Sequence, residues 1–487
     1  MEYKNDTLCL DKLDIGVQYE QIEDPEGRSE ITTDVDDKII SYRDAAGVKH
    51  ENVGIETKTV NAAYLKGNMI DIGSKDYIYV DRPKFADIYL EGILPIDLSD
   101  DRIPTKMKLQ FVSGGISIFT TNVLLSIQGN GSVGVQKHNY TIDFLNDNDE
   151  ELSVKFGDMI AVDSFHLKSG YFDRSHTRNV ACPAIWRDMI KLLYYPYSKI
   201  NNKPYNFTYG QNKDEIFISD AKYSEDGFPV SIYLNGDFYG LYTLKLKKTR
   251  QNYAMEKNNK SEIFLDSITT NAFLHNPFNH EDWELKNPKI KGYEEGGEIT
   301  DAGVLANIER LFDFTSDLSN KYQDHEEYIV LKHWLVYVLF CELIYHMDTY
   351  GNNTELLTWD ATHWSILPYD MDNTVGLYPW PSENSRIFTT KDDSVFTGGF
   401  FAQFKILFHN DLSELYTKLK KTGFIEVGNL YSYFVRQSQN IPRDIQNKDM
   451  KKWDNFWKDG NYPVIEQIYP FLYSRIQFLD NEYLTNV

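Results

Sequence analysis

The chain has 487 residues, with 50 Lys and Arg against 73 Asp and Glu, for a formal net charge of −23. That acidity repels phosphate backbones and excludes nucleic-acid binding through a broad electrostatic footprint. The 41% hydrophobic and 14% aromatic content excludes a disordered acidic chain. The length allows two or three domains with sizeable cores. Cys9, Cys182 and Cys341 are scattered and odd in number, so neither a disulfide framework nor a Cys-ligated zinc site follows from them. The start, MEYKNDTLCLDKLDIG, carries no apolar core of a signal peptide, and no stretch approaches the ~20 apolar residues of a membrane span. The expected location is a reducing cytoplasm, or a virion released by lysis.

Residues 1–95 read as short polar strands. KIISYR and VKHENVGI form a hairpin around Gly47, and DYIYV at 76–80 is a further strand. From about 105 to 250 strands dominate. MKLQFV and NVLLSIQ are strands, GNGSVG is a loop, and VQKHNYTIDF alternates strictly. In that alternation Gln136, His138, Tyr140, Ile142 and Phe144 share one face, with Lys137 on the other. RNVACPAIWRDMIKLLYY has helical spacing, with Pro183 in the first turn, where its missing N–H costs little. VSIYLNGDFYGLYTLKL is a hairpin turned at Asn235-Gly236. Segments near 301–323, 325–346, 408–422 and 466–484 carry a 3.6-residue apolar period, so the later half is helical.

The densest chemistry lies in HMDTYGNNTELLTWDATHWSILPYDMDNTVG, residues 346–376. Asp348 is expected to end a long apolar helix, with Asn353 following in a D-x4-N spacing. TELLTW and WSILPY flank a turn, and pairing Trp359 with Trp364 sets Asn353 opposite Asp370. Opposed residues of an antiparallel pair lie roughly 4.5–5.5 Å apart at Cα. An amide oxygen and a carboxylate then converge at one hairpin end, with Asp348 upstream and Asp372 downstream. Such a set suits a hard cation such as Mg²⁺, which takes oxygen ligands and shares one or two carboxylates with phosphates. It also suits phosphoryl transfer, where one Asp accepts a hydroxyl proton while an Asn and a later Asp hold metal. Asp, Asn and Gly are equally the ordinary residues of turns.

These blocks resemble the CotH kinase family, atypical kinases first associated with spore coats. The resemblance rests on Asp348, Asn353 and Pro368-Tyr369-Asp370-Met371-Asp372 with Gly376. It extends upstream to LLSIQGNGSVGVQKHNYTIDF, to FHLKSGYFDRSHTRN, to YLNGDFYGLYTL and to WELKNP, in the family's order over roughly 105–380. It implies an α+β, atypical two-lobed protein-kinase-like fold, with a strand-rich N-lobe and a helix-rich C-lobe after a small β-rich N-terminal region. The corresponding divisions are 1–95, 96–250 and 251–487. It also implies ATP between the lobes, Asp348 as catalytic base, and Asn353, Asp370 and Asp372 as Mg²⁺ ligands. Lys137 would sit on nucleotide phosphates beneath the loop Gly129, Asn130, Gly131, Ser132 to Gly134. Glycines there let backbone N–H groups approach phosphate. Arg178 and Asn179, after Asp173, either bind phosphate at a helix start or cap the helix and bridge the lobes.

Two departures matter. Gln128 stands where the family carries an Arg before its glycine. Leu246, flanked by Lys245 and Lys247, stands where its hairpin runs on to a Glu. In kinases a Glu orients the nucleotide lysine, so Lys137 would be less firmly positioned. ILPYDMDNTVG also resembles the D-x-D-x-T strand end of haloacid-dehalogenase-like phosphatases, with Asp370 as nucleophile, Asp372 as acid/base and Thr374 in support. That fold requires further parallel strands. IISYRDAAGVKHENVGIET resembles segments of phage tail-associated and surface proteins, so a CotH-like structural or binding module of a phage particle, assembling through 1–95, is the non-enzymatic alternative. The expected partners are a nucleotide and a protein hydroxyl acceptor, with no nucleic acid and no membrane.

Overall fold

A computed structural model of the chain describes residues 77–95, 102–129, 135–194, 221–269, 271–378, 386–453 and 464–484, together with eight short strands between Glu2 and Ile70. Those eight form one antiparallel sheet. It contains the hairpin expected on either side of Gly47, pairing Lys38–Arg43 with Lys49–Glu56. The chain divides into two compact units, Met1–Ser169 with Phe228–Leu244, and Gly170–Gly227 with Lys245–Val487.

In the first unit seven strands close into a barrel, in the order Ala86–Glu91, Thr105–Ser113, Ile116–Gln128, Asn139–Leu145, Ser164–Lys168, Asp237–Leu246 and Gly227–Leu234. Strict alternation builds it. Met107, Leu109 and Phe111 are buried while Lys106, Lys108 and Gln110 between them face outward. Closure comes from parallel pairing of Ala86–Glu91 with Gly227–Leu234, in register Ile88 with Ile232. The pairing removes the free edges that an open sheet would expose. Ala86–Glu91, which the sequence reading placed in the N-terminal region, is therefore a barrel strand. Tyr77–Val80 pairs in parallel with Ser153–Phe156. The interior is aromatic, with buried Phe111, Phe144, Phe156, Phe165 and Phe228 linked by ring contacts and half-buried Phe119 set against Phe111 and Phe144. Each buried Phe contributes roughly 1.5–3 kcal/mol. At the turn, Asn235 and Gly236 have φ of 51° and 90°, as a two-residue hairpin loop of the primed kind requires. The strand expected over 135–144 begins only at Asn139, so Lys137 precedes it.

The second unit starts with helix α1 (Arg178–Tyr194). Pro183 is its sixth residue and so lies in the second turn, where it removes a helical donor, rather than in the first. Strands Trp283–Asn287, Ile263–Ser267, Thr354–Thr358 and Ser365–Pro368 form an antiparallel sheet in that spatial order. Helices α2 (Ala302–Ser316) and α3 (Leu318–Lys321) break at Asp317, dividing the single helix expected over 301–323. Helix α4 (Leu331–Ile344) is apolar all round and buried from His333 onward, so it is the central helix of this unit. It stops at Tyr345, whose φ of 55° is left-handed, and Asp348 lies beyond it in a separate 3-10 turn, Met347–Tyr350. Helices α5 (Gly399–Leu407), α6 (His409–Lys421), α7 (Val427–Gln439), α8 (Arg443–Lys452) and α9 (Ile468–Tyr483) complete the unit. Of these, only α6 and α9 match expected segments. Among the described residues no helix is long and apolar enough to cross a membrane.

Candidate functional site

The end of α4 fixes the first half of the site. The N–H groups of Tyr345 and His346 both reach the Cys341 carbonyl, which reverses the chain. His346 is fully buried, and its Nε2–H donates to the Tyr369 carbonyl at 2.9 Å. Burial holds its pKa below the ordinary histidine value, although the Asp348 and Asp370 carboxylates act the other way. Asp348 follows, half-buried, and Asn373 Nδ2 donates to its Oδ2 at 3.2 Å. The loop is pinned beneath. Thr349 Oγ1 and Thr354 Oγ1 both bond the Tyr337 hydroxyl of α4, and Thr354 Oγ1 donates to the Thr349 carbonyl at 3.1 Å.

Asn353 and Asp370 lie at the same end of the hairpin, in a register one residue away from the expected one. Thr354 opposes Pro368 and Leu357 opposes Ser365, so Asn353 faces Tyr369, whose N–H donates to the Asn353 carbonyl at 3.1 Å. The expected pairing of Trp359 with Trp364 fails because Trp359 leaves the ladder. Its indole N–H donates to the Tyr253 carbonyl at 2.9 Å. Asp360 Oδ1 accepts from the N–H groups of Thr362 and His363, which shapes the loop 359–364 between the two strands. Both faces of these strands are buried, so alternation could not fix the register.

After Pro368 the chain makes a tight, strained turn. Asp370 and Val375 have φ of 49° and 51°, and Asn353 across from them has 53°. Asn and Asp tolerate this region, whereas a β-branched Val there is an outlier that the surroundings must hold. The Val375 N–H donates to the Ile344 carbonyl at 2.7 Å. From the other side, fully buried Arg178 donates through Nε to the Thr374 carbonyl at 2.8 Å and through Nη2 to the Val375 carbonyl at 3.0 Å. Its Nη1 pairs with Asp173 at 2.7 Å, and Asp173 Oδ2 also accepts the Arg178 N–H. Arg178 is thus an internal strut behind the Asp370–Asp372 turn. Asn179 is buried in the first turn of α1. Gly376 is required, since a Cβ there would lie 2.3 Å from the Phe388 carbonyl oxygen.

Two ion pairs stand beside Asp370, one fully buried and one half-buried at its lysine, and the sequence reading missed both. Lys245 is fully buried and paired with Glu225, and its Nζ lies 3.7 Å from Asp370 Oδ1. Lys248 pairs with Asp266. The two ammonium groups lie 5.0 and 4.5 Å from the centroid of the Tyr369 ring. Nearby, burial pushes the Glu355 carboxyl well above its usual range, and Tyr253 donates to it. The available signal was the cluster Lys245, Lys247 and Lys248 around Leu246 at the end of a strand. Leu246 itself is buried, and its N–H donates to the Asp226 carbonyl.

The first unit holds the remaining candidates. Lys137 is neither solvent-facing nor on a strand. It is fully buried, its Nζ donates to the Ser169 and Leu241 carbonyls at 2.6 Å each, and it lies over the Tyr242 ring. Gly129 has φ of 93°. Asn130, Gly131, Ser132 and Gly134 lie outside the described residues. Among the described residues no group of three or more His, Cys, Asp or Glu is gathered to hold a metal, so Asp348, Asp370 and Asp372 do not form an all-protein cage.

The pinned Asp348, the Asn353 hairpin end and the strained D-x-D turn occur together in a segment that matches a known family. Residues 125–479 match the family described as CotH kinase protein. The chain belongs to the CotH kinase family. The match spans most of the chain, including every residue of the site in the second unit. No curated protein matches the chain. The phosphatase alternative finds no support in the strands around Asp370. Ser365–Pro368, which leads into Asp370, is an edge strand of an antiparallel sheet, where Pro368 is tolerated. The strands that follow, Leu377–Tyr378 and Arg386–Ile387, pair antiparallel with each other.

Proposed function

We propose that the chain is an ATP- and Mg²⁺-dependent kinase that transfers the γ-phosphoryl group to a hydroxyl, most simply one on a protein. In this reading the barrel unit takes the part of the N-lobe and the helical unit that of the C-lobe. One observation carries it. Hydrogen bonds from His346 to Tyr369, from Tyr369 to Asn353 and from Asn373 to Asp348 stitch the Asp348 loop to the Asp370 turn. A proton acceptor and a set of hard oxygen donors are thereby held on one framework.

Asp348, oriented by Asn373, takes the proton of the acceptor hydroxyl. Asn353, Asp370 and Asp372 supply an amide and two carboxylate oxygens. That set fits Mg²⁺, which is held by one or two carboxylates together with substrate phosphates rather than by an all-protein cage. A bound Mg²⁺ would neutralise charge on the transferring phosphates. His346 and Arg178 touch no reacting atom in this scheme and hold the two loops in place. Asp348→Ala and Asp370→Ala are each expected to abolish Mg²⁺-dependent transfer of labelled phosphate from ATP while leaving the circular dichroism unchanged. Wild-type protein that shows neither nucleotide binding nor self-phosphorylation overturns the proposal.

A second reading, a catalytically weak CotH-like binding module of a phage particle, draws support from Lys137. Its ammonium is engaged by two carbonyls, and Leu246 replaces the family's Glu. Nucleotide binding without transfer to any offered hydroxyl is the result that would favour it.

A further inference from the structure

We propose that Lys245, held by Glu225, is a positioning residue of this site: a fixed cation that tunes the Asp370 carboxylate against divalent metal and towards nucleotide phosphate. The inference rests on the kinase reading for the identity of the site, and it concerns a residue outside the family's motif.

A fully buried lysine must be neutralised, because an unpaired ammonium in a dry interior is too costly to keep charged. Glu225, whose side chain is 2% exposed, provides that partner. Glu225 takes only part of the ammonium's capacity, since Lys has three donors and no preferred plane. Asp370 Oδ1 lies at 3.7 Å, beyond hydrogen-bonding distance, so it is attracted without being clamped. Its side chain keeps 25% of its surface exposed, and that opening leaves it accessible to a ligand. Lys248 is placed differently, on the same Tyr369 ring but paired with Asp266. Tyr369 is therefore a spacer that fixes two cations at set distances, and Lys245 is the one that forms an ion pair with Asp370. Glu225 thus supplies a partner for a lysine beside the position where Leu246 replaces the family's Glu.

The consequence has opposite signs for the two ligands. The ammonium repels a second cation at Asp370, so it weakens binding of a bare divalent ion. It attracts triphosphate, so it strengthens binding of nucleotide. Charges a few ångströms apart near a protein surface interact strongly enough to shift either affinity roughly tenfold.

The test uses the full chain with Lys245→Met, and the double variant Lys245→Met/Glu225→Gln. The double variant removes both members of a buried pair, which folded proteins commonly tolerate. Mn²⁺ alone is titrated by electron paramagnetic resonance, and ATP is titrated in EDTA by calorimetry. The expected result for the folded double variant is Mn²⁺ binding about tenfold tighter and metal-free ATP binding about tenfold weaker than wild type. Both affinities unchanged, or both reduced together as loosened packing would produce, overturn the assignment of Lys245 alone. Wild-type protein that binds neither Mn²⁺ nor ATP overturns this inference together with the kinase reading. Wild-type protein that binds both yet transfers no phosphate defeats only the latter.

Discussion

Arg178 separates two roles that its position at the start of α1 leaves open, and replacing it by Met tells them apart. The guanidinium is fully buried and donates to the Asp173 carboxylate and to the Thr374 and Val375 carbonyls. Removing one partner of a buried pair costs about 3–5 kcal/mol, because the other charge is left behind. Orphaning two buried carbonyls adds about 1–3 kcal/mol for each that water cannot reach. Asp173 keeps the N–H groups of Ser175 and Arg178 and the Ser175 hydroxyl, which softens the first term. The expected loss is therefore about 4 kcal/mol, near the middle of the range for a broken buried pair. At roughly 2–4 °C per kcal/mol, the melting temperature falls by about 10 °C. The assay is thermal and urea unfolding without nucleotide, followed by ATP titration of the variant at a temperature where it is folded. Arg178→Lys should recover only part of the loss, since an ammonium cannot reproduce the guanidinium fork. A strut predicts the stability loss in the absence of any ligand. Stability within 1 kcal/mol of wild type, together with an ATP affinity lowered tenfold or more, would refute the strut and restore the phosphate-binding role.

Other outcomes follow from the same geometry. His333 is buried against Ser365 Oγ at 2.8 Å, and burial holds its pKa well below 6.5. The unfolded chain therefore takes up the proton first as pH falls. The stability contribution is whole above pH ~6.5 and declines below it by up to about 1.4 kcal/mol per pH unit. Between pH 7.5 and 5.5 the melting temperature of wild type should drop further than that of His333→Gln, and equal drops would show that His333 does not titrate on unfolding. Cys182 has its thiol pushed up to about 12, and burial likewise raises that of Cys341. In a Cys9→Ser background, mass spectrometry should find no alkylation by iodoacetamide in the native state at pH 8, and complete alkylation of both thiols in urea. Gly376→Ala forces a Cβ onto the Phe388 carbonyl at φ 81°. It should destabilise by at least ~2 kcal/mol in urea unfolding and lower phosphate transfer with it.

What the sequence disclosed about this site was its residues and their order, and what it concealed was their registration. Asp348, Asn353 and Asp370 lie within one short segment, so local spacing sufficed to associate them. The precise facing pair was lost because Leu356 and Leu357 are both buried, and a strand buried on two faces has no polar side to count from. The barrel was legible strand by strand, in the alternation of residues such as Met107, Leu109 and Phe111. Its closure depends on pairing Ile88 with Ile232, a contact no local pattern encodes. Helix α8 was hidden for a different reason. Only Ile445 and Asp449 of its ten residues are buried, so there was almost no apolar period to read.

The charges at the site follow the same division. A net charge of −23 suggests a protein short of cations, yet Arg178 and Lys245 are fully buried in this unit, and both stand beside the Asp370–Asp372 segment or hold it. Burial is what makes them informative. A surface lysine contributes little to a particular ion pair, whereas a buried one requires a partner such as Glu225, and the residue that provides it is fixed by tertiary structure. The acid opposite Lys245 comes from a segment twenty residues earlier in the chain. A motif search that looks for a Glu at position 246 finds Leu246 and concludes that the pairing is lost. Traced in space, Lys245 finds its carboxylate on another element, and Lys137, the lysine that the family's Glu would orient, is held instead by the Ser169 and Leu241 carbonyls. A departure from a family motif at a buried charge is therefore weak grounds for inferring inactivity until the partners of that charge have been traced in space.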